Sequence, residues 1–515
     1  MKVRQLLSLK LLIVLLTVVI IFSGGMNEVT ANETRMSISG EISLYEGTAD
    51  LREATVQLTK NGTKVGEPAH PSADGSYNIP SVEPGEDYNI TVSLDGYYDE
   101  TTLQFEVVDK NVTGKDIILQ RREPIIVTPT PTTISKGDSG VSLVVKLSEI
   151  SDLENTFEDE EVVTNLSNWE IDTNYTGLTV NRIIRNNDTQ VTIDFIGTAS
   201  KARAIKIQAK PEVINNAEGI ASNAIYLSVV EDEYIPSSNP DLQTYYTKNV
   251  DVDGELNGIV VIVHGLAEHL GRYNYTTEKL NQAGYGVYRL DNKGHGKTEK
   301  TVIDGRAVDG YVEDFNEYLD DPNIIVNMIK EDYPDKKVFM LGHSMGGRIV
   351  ASYGMKYPDK LDGQLFTGAA VRYQEQFVEY RDSEELSPFE GEKATEMIPN
   401  ELADTICRDA AIRAQYSADP LNLNQFANKL LHEYRVELGG YLSDNVNEYN
   451  YPALILHGAD DRIVPKEFSE WFYEEIASSD KEIIMYPDAY HEILNERKEK
   501  YEVIEDMINW MDERL

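Results

Sequence analysis

Cysteine is nearly absent from this chain of 515 residues: Cys407 stands alone, so no internal disulfide can form. Its setting, DTICRDAA, carries no nucleophile motif, and a buried small residue is the expectation there. Basic residues are scarce as well, 47 against 88 acidic ones, for a net charge of -41 at pH 7. Phosphate binding needs clustered Lys and Arg, so a nucleic-acid partner is excluded. The acidic excess reads as a solvated surface, and no complete EF-hand loop turns it into a cation site. No His-Glu-x-x-His pairing is present, which leaves zinc hydrolysis without support; no metal and no cofactor are expected. GHGKT (residues 294–298) has Asp291 where a phosphate loop needs its first glycine, and that reading fails too.

What is present begins with length. At 515 residues the chain exceeds one hydrophobic core, and 41% apolar residues suffice to bury several, so about three domains are expected. MKVRQLLSLK carries Lys2, Arg4 and Lys10, the uncharged LLIVLLTVVIIF follows, and Val29 and Ala31 occupy the small-residue positions before a cleavage point. Residues 1–31 therefore read as a secretory signal peptide, with an uncleaved membrane anchor as the alternative. Either way the protein is expected to be secreted or held at the cell surface. An exported chain without disulfides suits a bacterial surface.

Residues 32–122 alternate in short runs, SISGEISLY, ATVQLTK, YNITVSL and TTLQFEVV, punctuated by Asn61-Gly62 and Asp74-Gly75 turns. The order ATVQL, DGSYNI, VEPGEDYNITVSLDGYY, DIIL resembles the carboxypeptidase-regulatory-like β-sandwich of exported proteins. PIIVTPTPTTISKGDSG then reads as a linker, opening a second β pattern over residues 123–235 that includes SLVVKL, VTIDFIG and AIYLSVV. An immunoglobulin-like sandwich is expected there, with Trp169 in its core. From 236 to 515 the pattern changes to near-continuous apolar strands separated by amphipathic helices, which predicts a mostly parallel sheet with helices on both faces.

Within that third segment, FMLGHSMGGRIV places Ser344 between a strand and a helix, in the context a Gly-x-Ser-x-Gly nucleophile demands. Gly342 and Gly346 must lack side chains so that neighbouring backbone can crowd the turn. A serine needs a histidine to take its proton, and in this architecture the order is serine, acid, histidine. Of the eight histidines, His432, His457 and His491 follow Ser344. His432 precedes any strand-end acid and His457 ends a strand, where packing is expected; His491 follows the last strand in a loop and is assigned as the base. The preceding strand, ALILHGADDRIVP, offers Asp460 and Asp461 as the acid, and spacing does not choose between them. The oxyanion hole is expected from the N–H of Met345, after the nucleophile, and that of Leu266, in the loop after IVVIVHG.

HGLAEHLGRY, LDNKGHGKTE, GHSMGG, GADDRIVP and AYHEILNE together resemble the α/β-hydrolases of the monoacylglycerol lipase and lysophospholipase group, also described as serine aminopeptidase-like. The resemblance implies that Asp461 is the acid, that Ser344, His491, Leu266 and Met345 keep the roles above, and that residues of about 368–450 form a helical cap. The fold class expected is thus two β-sandwich modules followed by an α/β-hydrolase domain. The activity implied is hydrolysis of a single-chain lipid ester through an acyl-enzyme. Two other readings remain: a peptidase removing N-terminal residues, and a surface adhesin with an inert hydrolase domain. Contact of the β modules with cell-wall or surface glycans is a further expectation.

Overall fold

In the computed structural model the described residues are 35–515 apart from 46, 129–131, 149–154, 216–218, 375–376 and 378–390. The expected leader lies outside them, as does part of the expected cap. The chain divides into two compact units, Met1–Arg121 and Arg122–Leu515.

The described part of the first unit is built of β-strands with one 3-10 turn at Leu51–Glu53. Thr55–Lys60 and Gly85–Ser93 pair antiparallel, and along the latter Tyr88, Ile90 and Val92 turn inward while their neighbours face out. That alternation, read from the sequence, closes a core with Ile38, Val56, Leu58, Val107 and Leu119. Asn61 (φ 51°) and Gly62 (φ 73°) join Thr55–Lys60 to Thr63–Lys64, the positive-φ pair that a two-residue hairpin requires.

The second unit carries one sheet of eleven strands among the described residues. Its catalytic half runs Gln243–Asn249, Tyr285–Leu290, Gly258–Val263, Lys337–His343, Gly363–Thr367, Ala453–Gly458, Lys481–Tyr486. The first pair is antiparallel and every later pair parallel. Both faces are covered, as continuous apolar strands require. Ile259, Val261 and Val263 point into one core with helices Glu317–Asp332 and Met345–Lys356; Val260 and Ile262 point into another with Asn274–Gln282 and Glu499–Asp512.

The expected boundary at residue 236 falls at the end of a strand that both parts share. Strand Ala224–Pro236 pairs through residues 224–228 with Ala204–Ala209 and through 231–236 with Gln243–Asn249, so one strand belongs to both the sandwich and the catalytic sheet. Glu231, Asp232 and Glu233 resemble the polar end of a strand, but they pair fully across to Tyr246, Thr247 and Lys248. Instead of standing apart, the sandwich is fused. Its other sheet, Leu178–Asn187, Gln190–Gly197, Ser142–Leu147 and Ile126–Val127, shares a core with the extension, and Trp169 lies in it, its indole N–H donating to the Val163 carbonyl at 2.9 Å. Buried Arg203 fastens the junction, donating to Glu278 of the catalytic half at 2.6 Å and to Asp253 at 2.7 Å.

Candidate active site

Strand Lys337–His343 lies between two parallel neighbours in the middle of the sheet, buried beyond its first residue. At its end the chain reverses sharply: Ser344 holds φ 53°, ψ -116°, and helix Met345–Lys356 begins at the next residue. A side chain rarely adopts that backbone, and such strain persists only where its surroundings impose it. The Ser344 N–H donates to the Thr367 carbonyl, and the Ser344 carbonyl accepts from Gly347 and Ala370. The glycines flanking it are dictated by contact. A Cβ on Gly346 would stand 2.1 Å from the Val263 carbonyl oxygen, and one on Gly342 would stand 2.4 Å from the Gly346 carbonyl oxygen. Gly346→Ala must push the end of strand Gly258–Val263 aside, and we expect it to cost about 3 kcal/mol, read as a lowered urea midpoint. An unchanged midpoint would show that the helix and strand are less tightly appressed.

His491 follows strand Lys481–Tyr486, and its Nδ1 lies 2.7 Å from Asp461 Oδ2. Both side chains are buried. Burial alone would lower the His491 pKa, but the adjacent Asp461 charge and hydrogen bond outweigh it and raise the pKa above 6.5. Burial works against ionisation of Asp461 too, yet His491, together with the hydrogen bond from His457, holds the carboxyl below its usual range. With Nδ1–H donated to Asp461, Nε2 is left as the basic nitrogen. The His491 ring also lies 4.7 Å from that of His343, the residue before Ser344. Burial keeps His343 neutral, its pKa pushed down to about 4. Among the described residues no protein group bonds the Ser344 hydroxyl. Asp460, the rival acid, has a half-exposed side chain 3.4 Å from Arg408.

Two loops frame the serine. After strand Gly258–Val263, Gly265 comes so close that a Cβ on it would touch Ser344 Cβ at 3.2 Å. The Gly265 N–H donates to Glu268 Oε1 at 2.6 Å and the Ala267 N–H to His295 Nε2 at 3.1 Å, which pins the loop on either side of Leu266. His264 braces it from behind, its Nε2 accepting from the Asn292 N–H. The N–H groups of Leu266 and of Met345, the latter at the first position of its helix, donate to no protein acceptor among the described residues. Two unspent donors beside a serine are what a developing oxyanion requires.

Other groups here escape a reading from sequence. Arg272 binds Glu268 Oε2 at 3.0 Å and Glu492 Oε2 at 2.9 Å, so one guanidinium ties the Leu266 loop to the residue after His491. It stacks on Tyr416 of the cap, its carbon 4.7 Å from the ring centre. Tyr490, before His491, lies against the Arg408 and Arg462 guanidinium groups at 4.4 and 4.0 Å. His457, expected to be mere packing, sends Nε2 to within 3.1 Å of Asp461 Oδ2 and 2.9 Å of the Val464 carbonyl, while Nδ1 faces Ser469 Oγ at 2.7 Å. The strand-end motif signalled only its burial. In the cap, Phe426 is packed against Gly310 and joins the main core, as Ile398 does at its edge, so these two serve packing. No group of three or more His, Cys, Asp or Glu side chains suited to a metal occurs among the described residues.

Residues 254–498 match the profile of the serine aminopeptidase S33 hydrolases, and residues 37–120 that of the carboxypeptidase regulatory-like domain. Among curated proteins, a monoacylglycerol lipase of Mycolicibacterium smegmatis is 31% identical over 264 residues, covering 51% of this chain and 91% of that protein. A monoglyceride lipase of Saccharomyces cerevisiae is 26% identical, covering 50% of this chain and 85% of its own. The crystal structure of a Paleococcus ferrophilus monoacylglycerol lipase is 27% identical, with a TM-score of 0.44, over 53% of this chain and 99% of that one.

Proposed function

Because the chain belongs to the monoacylglycerol lipase-type, serine aminopeptidase S33 family of α/β-hydrolases, we propose that it cleaves single-chain lipid esters, monoacylglycerols or lysophospholipids, through a Ser344–Asp461–His491 triad. The observation that carries this is the buried 2.7 Å bond from His491 to Asp461, with His491 leaning over the turn that presents Ser344. His491 Nε2 takes the Ser344 proton as Oγ adds to the ester carbonyl. The oxygen that gains charge is met by the N–H groups of Leu266 and Met345, each donor of this kind being worth about 2.7–4 kcal/mol. His491 then gives the proton to the departing alkoxide, leaving acyl-Ser344. A water molecule, deprotonated by the same nitrogen, releases the fatty acid and restores Ser344. Asp461 keeps His491 in the required tautomer and offsets the charge that appears on it.

The ester reading is preferred to the peptidase one for a specific reason. An aminopeptidase needs free carboxylates to hold the substrate amine, and among the described residues Glu268 and Glu492, beside the Leu266 loop and His491, are both matched to Arg272. Parallel assays on 1-monoacylglycerol and on aminoacyl amides test the choice, with faster amide turnover overturning it. Export is part of the same proposal and rests on the basic start and apolar run of residues 1–31. Among the described residues no helix is long and apolar enough to cross a membrane.

The raised His491 pKa has a defined consequence. Protonated His491 cannot accept the serine proton, so kcat/KM is expected to fall on the acid side with a midpoint above 6.5. The same shift contributes stability that is complete below about pH 6.5 and is lost as pH rises through the raised value. A rate profile whose acid limb lies below 6.5 would contradict this.

A further inference from the structure

We infer that the seam between the sandwich and the catalytic half is a saccharide-binding site. A cavity of ≈ 90 Å³ opens there, walled by Thr132 and Tyr226 of the sandwich, Tyr275 of the catalytic half, Gln415 of the cap, and Asn495 and Lys500 near the C-terminal helix. By the space one water needs, it holds roughly six to nine waters, about what one sugar ring displaces. A second, larger cleft of ≈ 250 Å³ shares Tyr226 and Tyr275 with it, so the seam has room for a chain of rings.

Its chemistry selects the ligand class. The Thr132 and Tyr275 hydroxyls are sealed within the wall, the latter beside the Tyr501 hydroxyl, and contribute shape rather than hydrogen bonds to a ligand. The Gln415 side-chain amide has no protein partner among the described residues, and the Asn495 amide donates to Glu492 but leaves its oxygen open. Such amides pair a donor with an acceptor, as two neighbouring sugar hydroxyls do. The rings of Tyr226 and Tyr275 meet at 5.0 Å and supply an apolar surface for the C–H face of a sugar. Tyr501, 61% exposed, extends that surface edge-on to Tyr275 at 6.4 Å. An anion fits poorly. Arg272 on the wall is already matched to two glutamates and Asp419 adds a carboxylate, which leaves Lys500 alone, its ammonium 5.1 Å from the Tyr275 ring centre.

This inference does not depend on ester hydrolysis. It gives the fused sandwich a function in addition to support, that of holding the enzyme to a glycan. The test is isothermal titration of the full chain with glucose, galactose, mannose, N-acetylglucosamine, cellobiose, chitobiose, glycerol and inorganic phosphate. One or more saccharides should bind at one site per chain, disaccharides more tightly than monosaccharides. Gln415→Ala should weaken binding by about tenfold, the loss of one hydrogen bond, and Tyr226→Ala by a similar factor, the loss of the apolar surface. Neither removes a hydrogen bond within the described protein, and thermal unfolding will confirm that both fold. Ser344→Ala, and Tyr175→Ala at an exposed turn elsewhere, should bind as the parent does. No heat with any saccharide, binding confined to phosphate or glycerol, or affinity unchanged in both seam variants overturns the inference.

Discussion

Ser344→Ala should lower kcat on a monoacylglycerol by about a millionfold, the scale seen when a hydrolase loses its nucleophilic serine, while KM and the folded state stay close to the parent. Nothing else in the frame changes. Alanine keeps the Cβ, so the φ of 53° is as strained for it as for serine, and the backbone bonds to Thr367, Gly347 and Ala370 survive. The unspent N–H groups of Leu266 and Met345 also remain, so a small residual acceleration over water should persist. A fluorophosphonate probe should label the parent and leave the variant unmarked. Labelling of Ser344→Ala, or activity within about tenfold of the parent, would place the nucleophile elsewhere. Ser344→Gly should match the alanine variant in rate but be more stable than it by about 1 kcal/mol, because glycine adopts this conformation without strain. That difference measures how far the enzyme holds its serine in an unfavourable backbone.

Local features read from the sequence survive in the structure because short-range rules govern them. The strand, turn and helix around Ser344, the Asn61-Gly62 hairpin and the apolar runs of the sheet strands each depend on residues a few places apart. What could not be read depends on contacts between distant segments. Arg272 stands in a motif visible at once, but its partner Glu492 is 220 positions away, and no pattern in either stretch names the other. His457 shows the opposite difficulty. It is only four residues from Asp461, yet an apolar strand end describes its burial and not the direction of its ring. The strand Ala224–Pro236 was hidden because charge marks exposure more reliably than it marks an end. Glu231 sits in the ladder and meets Lys248 at 3.1 Å and Lys136 at 2.7 Å.

Asp461→Asn should lower kcat by about ten-thousandfold, next to the loss of the serine itself, since the histidine is then held in the wrong tautomer. The surroundings of Asp461 explain why amide substitution is so poorly tolerated. Oδ1 accepts the N–H groups of Ile463 at 2.8 Å and Val464 at 2.9 Å, and Oδ2 faces His491 at 2.7 Å and His457 at 3.1 Å. Donors thus approach from both sides. An asparagine must turn its NH2 towards one pair. Turned to the histidines, it forces His491 to accept at Nδ1 and carry its proton at Nε2, where it cannot take the serine proton. Turned to the backbone, it sets donor against donor and opens the Asp461–Val464 turn. The variant should therefore lose some stability as well, about 1–3 kcal/mol for donors left unmet. Asp460→Asn provides the control: its carboxylate is half exposed and among the described residues pairs with Arg408 alone, so kcat should stay within about twofold. Equal losses in the two variants would remove Asp461 from the triad. A full loss with Asp461→Asn and none with Asp460→Asn would make the buried four-donor carboxylate the acid on which His491 depends.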